Sequence, residues 1–220
     1  MMRTLIFGTT YVHDDLSLWI CNEWIRLHSK LNPEADLLLV DSASPVPLPL
    51  GVDVLQLGDN IGHRWKENYG KDGWGRAFDA GLRHAVREGY EVVACIEGDL
   101  LCKVPVQRLV HPMLSSGADI AAPRATPHQF IEAGLMVMTG RWLREFDLAS
   151  KYDWENGTVF PEDRLGALVE DQILWLDDVK GARLTDCRER GHRIDISRLD
   201  YITHAAIPDF CEFLHTDCCT

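Results

Sequence analysis

Short apolar runs alternate with helical stretches through the first half of the chain, and few architectures accept that pattern. TLIFGTTYV (4–12) is rich in β-branched residues; it is followed by the helix-capping triplet HDD and then by a stretch in which Leu16, Ile20, Trp24 and Leu27 recur at helical spacing. ADLLLVDSASP repeats the strand pattern and ends on Asp41, and VDVLQLGDNIG reads as a third, shorter strand. GRAFDAGLRHAVREGY places Phe78, Leu82, Ala85 and Val86 on one face and stops at Gly89, after which EVVACIEGD resumes as a buried strand. Strands separated by helices and short loops predict an α/β fold, a mostly parallel sheet with helices on both faces.

The second half is less regular. ADIAAPRA reads as a strand and AGLMVMTGRWLREF as a strand turning into a helix. LVEDQILWLDDVK reads as a helix with Leu168, Ile173, Leu176 and Val179 inward, and the polar, aromatic stretch from Lys151 to Arg164 as a loop facing substrate. With 220 residues and 46% apolar content the chain can bury one sizeable core, so a single domain, 1–220, is expected.

Charge and composition exclude several classes. Lys and Arg number 22 against 34 Asp and Glu, a formal charge of -12, which opposes broad binding to nucleic acid. No run approaches the roughly 20 apolar residues of a membrane span, and MMRTLIFGTTYV lacks the apolar core of a secretory signal, so a cytoplasmic protein is expected. Seven cysteines without a CxxC pair fit a reducing compartment, most as buried thiols and Cys218–Cys219 exposed in the tail.

In open α/β sheets ligands gather beyond the carboxyl ends of the strands. Thr9, Asp41 and the pair Glu97/Asp99 all fall at such ends. Two carboxylates one residue apart repel each other, so the pair costs free energy unless something it holds offsets that repulsion.

These residues resemble the landmarks of the GT-A fold glycosyltransferases. Glu97-Gly98-Asp99 resembles their acidic DxD motif, Gly134 in EAGLMVM the glycine loop that follows, Glu170-Asp171 the xED motif at the start of a helix, and His204 in YITHA the histidine that completes the metal shell. GWGRAFDAGLRHAVREGYEVVACIEGD is also similar to the segment leading into the DxD motif of the inverting family-two enzymes. The resemblance covers roughly residues 3–205. It implies a Rossmann-like sheet, a nucleotide-binding half (1–103) and an acceptor-side half (104–220). The partners would be a nucleotide diphosphate sugar donor and a sugar or other small hydroxyl acceptor.

It further implies Mn²⁺ or Mg²⁺ held by Glu97, Asp99 and His204, stabilising the departing diphosphate, and Asp171 as the base for an inverting transfer, with Glu170 beside it. Thr9, Tyr11, Asp41, Arg76 and Asp79 would bind donor, and Gly134 and Trp154 acceptor. Some of these residues have ordinary structural alternatives: Asp41 as a turn residue, Arg76 and Asp79 as a surface ion pair, Trp154 as a loop anchor. A sugar-phosphate nucleotidyltransferase is the nearest rival enzyme, but it needs a Gly-rich basic loop after the first strand, where this chain has the acidic FGTTYVHDD. A non-catalytic nucleotide-sugar binding protein is the alternative from another class.

Overall fold

The structure is a computed structural model that describes residues 2–62, 71–128, 130–157 and 159–215. Its first half follows the predicted alternation: β1 (Thr4–Thr10), α1 (Asp15–Leu31), β2 (Asp36–Asp41), β3 (Asp53–Gln56), α2 (Gly73–Glu88) and β4 (Val92–Ile96). Asp14 caps α1, its carboxylate accepting from the Ser17 amide at 2.8 Å, and Gly89 closes α2 in the left-handed conformation at φ 73°. Then come β5 (Leu101–Cys102), α3 (Val106–Ser116), β6 (Ile120–Ala122), β7 (Leu135–Thr139), α4 (Gly140–Phe146), α5 (Leu148–Lys151) and α6 (Pro161–Val169). The chain finishes with β8 (Ile173–Trp175), β9 (Gly181–Arg183), α7 (Leu184–Glu189), β10 (Tyr201–Thr203) and α8 (Ile207–Leu214).

Seven strands form the main sheet in the order β3-β2-β1-β4-β7-β6-β8. All run parallel except β7, which is antiparallel to both of its neighbours. From β1 the chain steps outward to β2 and β3, then crosses to β4 on the other side of β1. That reversal opens a crevice beyond the carboxyl ends of β1 and β4, where ligands of such sheets bind.

Side chains alternate across the sheet, as a pleated strand requires. Ile6, Val92, Ala94 and Ile96 join one core with Trp24 of α1 and Val110 of α3; Leu5, Phe7, Val93 and Cys95 join a second with Phe78 and Leu82 of α2. A small three-stranded sheet, β5-β10-β9, packs into the first core through Leu101, Ile202 and Ala182. Cys21, Cys95, Cys102 and Cys187 are buried free thiols, as expected; Cys218 and Cys219 lie outside the described residues. Among the described residues no helix is long and apolar enough to cross a membrane.

The helix expected over LVEDQILWLDDVK is not there. Pro161 starts α6 seven residues earlier, Leu165 and Val169 bury its inner face, and Ile173–Trp175 leave as β8, paired with Ile120–Ala122 of β6. Three apolar residues suit a short strand as well as one helical turn, and the open edge of β6 decides between them. Leu176 and Val179 are buried as expected, but from the turn after β8.

One buried group makes stability depend on pH. His28 of α1 is fully enclosed, edge-on to Trp24, and its Nε2 has no hydrogen-bond partner among the described residues. Burial lowers its pKa from 6.5 to about 3. The unfolded chain therefore takes up this proton below 6.5, whereas the folded chain does so only near 3. His28 thus costs nothing above the higher value and removes roughly 1.4 kcal/mol of stability per pH unit below it. Asp72 and Glu97, whose pKa values burial raises, act in the opposite direction. The readout is therefore the difference between wild type and His28→Gln in urea unfolding at about pH 7 and about pH 5. The wild type is expected to lose more stability on acidification; equal losses would clear His28 as the cause.

Candidate active site

The crevice is a cavity of about 1050 Å³. Its floor is the junction of β1 and β4. Gly98 donates its amide to the Thr9 carbonyl at 2.9 Å, and a Cβ on Gly98 would stand 2.7 Å from that same oxygen. Only glycine lets the two strand ends approach this closely, which explains the residue between Glu97 and Asp99. On the far side, Glu97 donates its amide to the Gly134 carbonyl at 2.8 Å, and a Cβ on Gly134 would meet Glu97 Oε2 at 2.7 Å. Gly134 thus leaves room for the Glu97 carboxyl group.

Thr9, Tyr11, Glu97, Asp99, Gly134 and His204 all border this cavity, although up to 195 positions separate them in sequence. Asp99 is exposed, and Thr203 Oγ1 donates to its Oδ1 across 3.5 Å, tying the end of β4 to the end of β10 and so to His204. Burial, and then the Asp99 charge, push the Glu97 carboxyl well above the usual carboxylate range; Glu132 and Glu162 add to the rise and Arg183 opposes it. No three of His, Cys, Asp or Glu among the described residues form a ready-made metal cage. Asp99 and His204 reach the cavity separately, a carboxylate and an imidazole.

Other expected residues lie elsewhere. Asp41 is buried beneath the crevice, accepting from the Ser44 amide at 3.1 Å and from Gln56 Nε2 at 2.7 Å, the turn role that its side chain allowed. Its neighbour Ser42 borders the cavity instead. Arg76 pairs with Asp59, and Asp79 with Arg83 one turn further along α2 at 3.0 Å; neither of these expected donor-binding residues borders the crevice, and the alternative Arg76–Asp79 surface pair does not form either. Trp154 packs against the second core and accepts the Asp72 amide at 2.8 Å; it is a loop anchor, and the aromatic ring that this stretch brings to the cavity is Phe160, which is 62% exposed.

The largest correction concerns the acidic pair. Glu170 caps the carboxyl end of α6 and Asp171 lies in the turn beyond; both are exposed and neither borders the cavity. A helix carboxyl end also disfavours negative charge. The pair that opens this helix is Glu162-Asp163, directly after Pro161, and Glu162 borders the cavity. Arg183, at the end of β9, holds it: its Nη2 lies 2.8 Å from both Glu162 Oε1 and Oε1 of the fully buried Glu132. Burial opposes the Arg183 charge, but the hydrogen bonds and charges of Glu132 and Glu162 outweigh it and raise the pKa. His13 stacks on Tyr11 at 5.4 Å and both border the cavity, as does Trp74 of α2.

The fold agrees with solved structures. Over 97% of its length this chain superposes on S. aureus TarS residues 1–349 in complex with UDP, with a TM-score of 0.57 at 13% identity, and it spans 63% of that chain. The chain has the GT-A fold. The glycosyltransferase GlyE of Streptococcus pneumoniae TIGR4 superposes with a TM-score of 0.56 at 15% identity over 94% of this chain, which spans 55% of GlyE. An active-site mutant of LgtC gives 0.55 at 11% identity, over 93% of this chain and 88% of that one. No protein-family profile matches the sequence, and neither does any curated protein.

Proposed function

We propose that the chain is a glycosyltransferase that moves a sugar from a nucleotide diphosphate sugar to a hydroxyl acceptor, with inversion and with the help of Mn²⁺ or Mg²⁺. The observation that carries this reading is the charge of the crevice. Among the described residues, Asp14, Asp99 and Glu162 border it as carboxylates, beside Glu97 whose charge burial disfavours, against one guanidinium, Arg183, so a diphosphate entering alone would be repelled. A divalent cation reverses that balance. The donor set suits one: hard cations of this kind take one or two protein carboxylates and fill the rest of their shell with phosphate oxygens and water, so a closed three-residue cage is not needed. Asp99 would hold it, with His204 from β10 and Glu97 behind. When bound, such an ion neutralises charge on the departing diphosphate.

The protein's own groups account for the other requirements. Tyr11 and His13 offer stacked rings at the cavity wall for a nucleobase, with Thr9 and Ser42 beside them for polar contacts. Phe160 and Glu162 face the cavity together from the start of α6, an apolar platform for a sugar ring and a carboxylate to take the proton of the attacking hydroxyl. That the related fold of TarS was solved with UDP, and also with UDP-GlcNAc, supports a donor of this chemical class.

The test is a thermal-shift panel of nucleotide diphosphate sugars with and without Mn²⁺, followed by transfer and hydrolysis assays on the best ligand. One donor is expected to raise Tm in a cation-dependent way, by mass action. Stabilisation only by a nucleoside triphosphate with a sugar phosphate would favour the nucleotidyltransferase reading; donor binding without turnover would favour a binding protein.

A further inference from the structure

His204 is held in an unusual way. Its backbone is left-handed, φ 50°, a conformation few residues with a Cβ adopt. Thr185 grips its carbonyl twice, through the amide at 2.9 Å and the hydroxyl at 2.6 Å. The next residue along α7, Asp186, reaches its ring: Oδ1 lies 3.7 Å from His204 Nδ1. His204 Nε2 has no protein partner among the described residues, and the side chain borders the cavity.

We propose that Asp186 is a positioning residue for His204, binding the Nδ1 side of the imidazole so that Nε2 is the nitrogen presented to the cavity, with its lone pair free. The inference rests on the reading above, in which His204 meets the cation at the donor diphosphate.

The neighbours of Asp186 fix its role. Its second oxygen, Oδ2, lies 2.9 Å from His128 Nε2, and His128 Nδ1 lies 2.9 Å from Arg190 Nη2. A guanidinium only donates, so His128 Nδ1 must accept, and the His128 proton sits on Nε2 and goes to Asp186. Phe130, stacked on His128 at 4.8 Å, keeps that ring in plane. Asp186 is therefore braced from behind as an acceptor, leaving Oδ1, at 3.7 Å just beyond hydrogen-bond distance, to act on the Nδ1 side of His204. A neutral imidazole that donates through one nitrogen offers a lone pair at the other. Carboxylate–imidazole pairs of this kind orient metal-binding histidines in general.

The direct test is the ¹⁵N shift of the His204 ring nitrogens in the full chain, labelled at histidine, without metal or nucleotide, at about pH 8. The expected state is Nδ1 protonated and Nε2 bare in wild type and Asp186→Glu, with a shift towards protonated Nε2 in Asp186→Asn. A wild-type ring protonated at Nε2, or one that Asp186→Asn leaves unchanged, overturns the proposal. In parallel, Asp186→Asn is expected to weaken Mn²⁺-dependent donor binding about 10–100-fold. The predicted tautomer without any Mn²⁺-dependent donor binding would support the positioning and sink the transferase reading instead.

Discussion

Replacing Glu162 by glutamine is expected to lower kcat for sugar transfer about 10²–10⁴-fold while donor affinity stays unchanged, because the substitution removes a proton acceptor and keeps its shape. The fold should survive. Arg183 keeps its pairing with the fully buried Glu132 through a 2.8 Å contact, so no buried charge is left alone when Glu162 becomes neutral. Asp171→Asn supplies the contrast: the side chain is exposed beyond the end of α6 and away from the cavity, so turnover should match wild type. Steady-state kinetics with donor and acceptor varied separately, beside calorimetric donor binding, decide the matter. Full turnover in Glu162→Gln with loss in Asp171→Asn would return the base to the later acidic pair.

The contrast also shows where the sequence was readable. From β1 to β4 each strand carries four to seven residues and each helix sixteen or seventeen, long enough for periodicity to separate the two and for caps at Asp14 and Gly89 to mark the ends. The strand-end residues Thr9, Glu97 and Asp99 were legible for the same reason, since the crevice follows from the strand order. Beyond β4 most strands have only two or three residues, too few for a period to register. The reading of 168–180 as helix failed there, and it carried Glu170 and Asp171 to the wrong end of α6.

A signal for the acidic pair that opens α6 was present. Phe160-Pro161-Glu162-Asp163 puts proline at the first helical position with two acids in the first turn, the composition of a helix start, inside a stretch read as loop. Arg183, Glu132 and Asp186 gave no such signal. Their meaning comes from β9, α7 and the loop before β7 meeting at the crevice, a tertiary fact that no local pattern encodes. Asp41, Arg76 and Asp79 show the converse: each sits close to the crevice in sequence terms, yet local partners Ser44, Gln56, Asp59 and Arg83 take up their charges.

Asp99→Ala is expected to change stability in two opposite directions, and the pair of signs is what identifies the site. Without ligand the variant should be as stable as wild type or slightly more so. Asp99 is exposed, its hydrogen bond from Thr203 is long at 3.5 Å, and its charge works against that of the enclosed Glu97. With donor and Mn²⁺ the order should reverse. A ligand at 100 times its Kd stabilises by about 2.7 kcal/mol, and the cation-dependent share of that gain should vanish with the carboxylate. An ordinary surface acid would move neither value, and a residue needed for folding would lower both. A cation-dependent gain as large in Asp99→Ala as in wild type would remove Asp99 from the ion's shell, and the excess of carboxyl groups over guanidinium among the described residues of the crevice would then need another explanation.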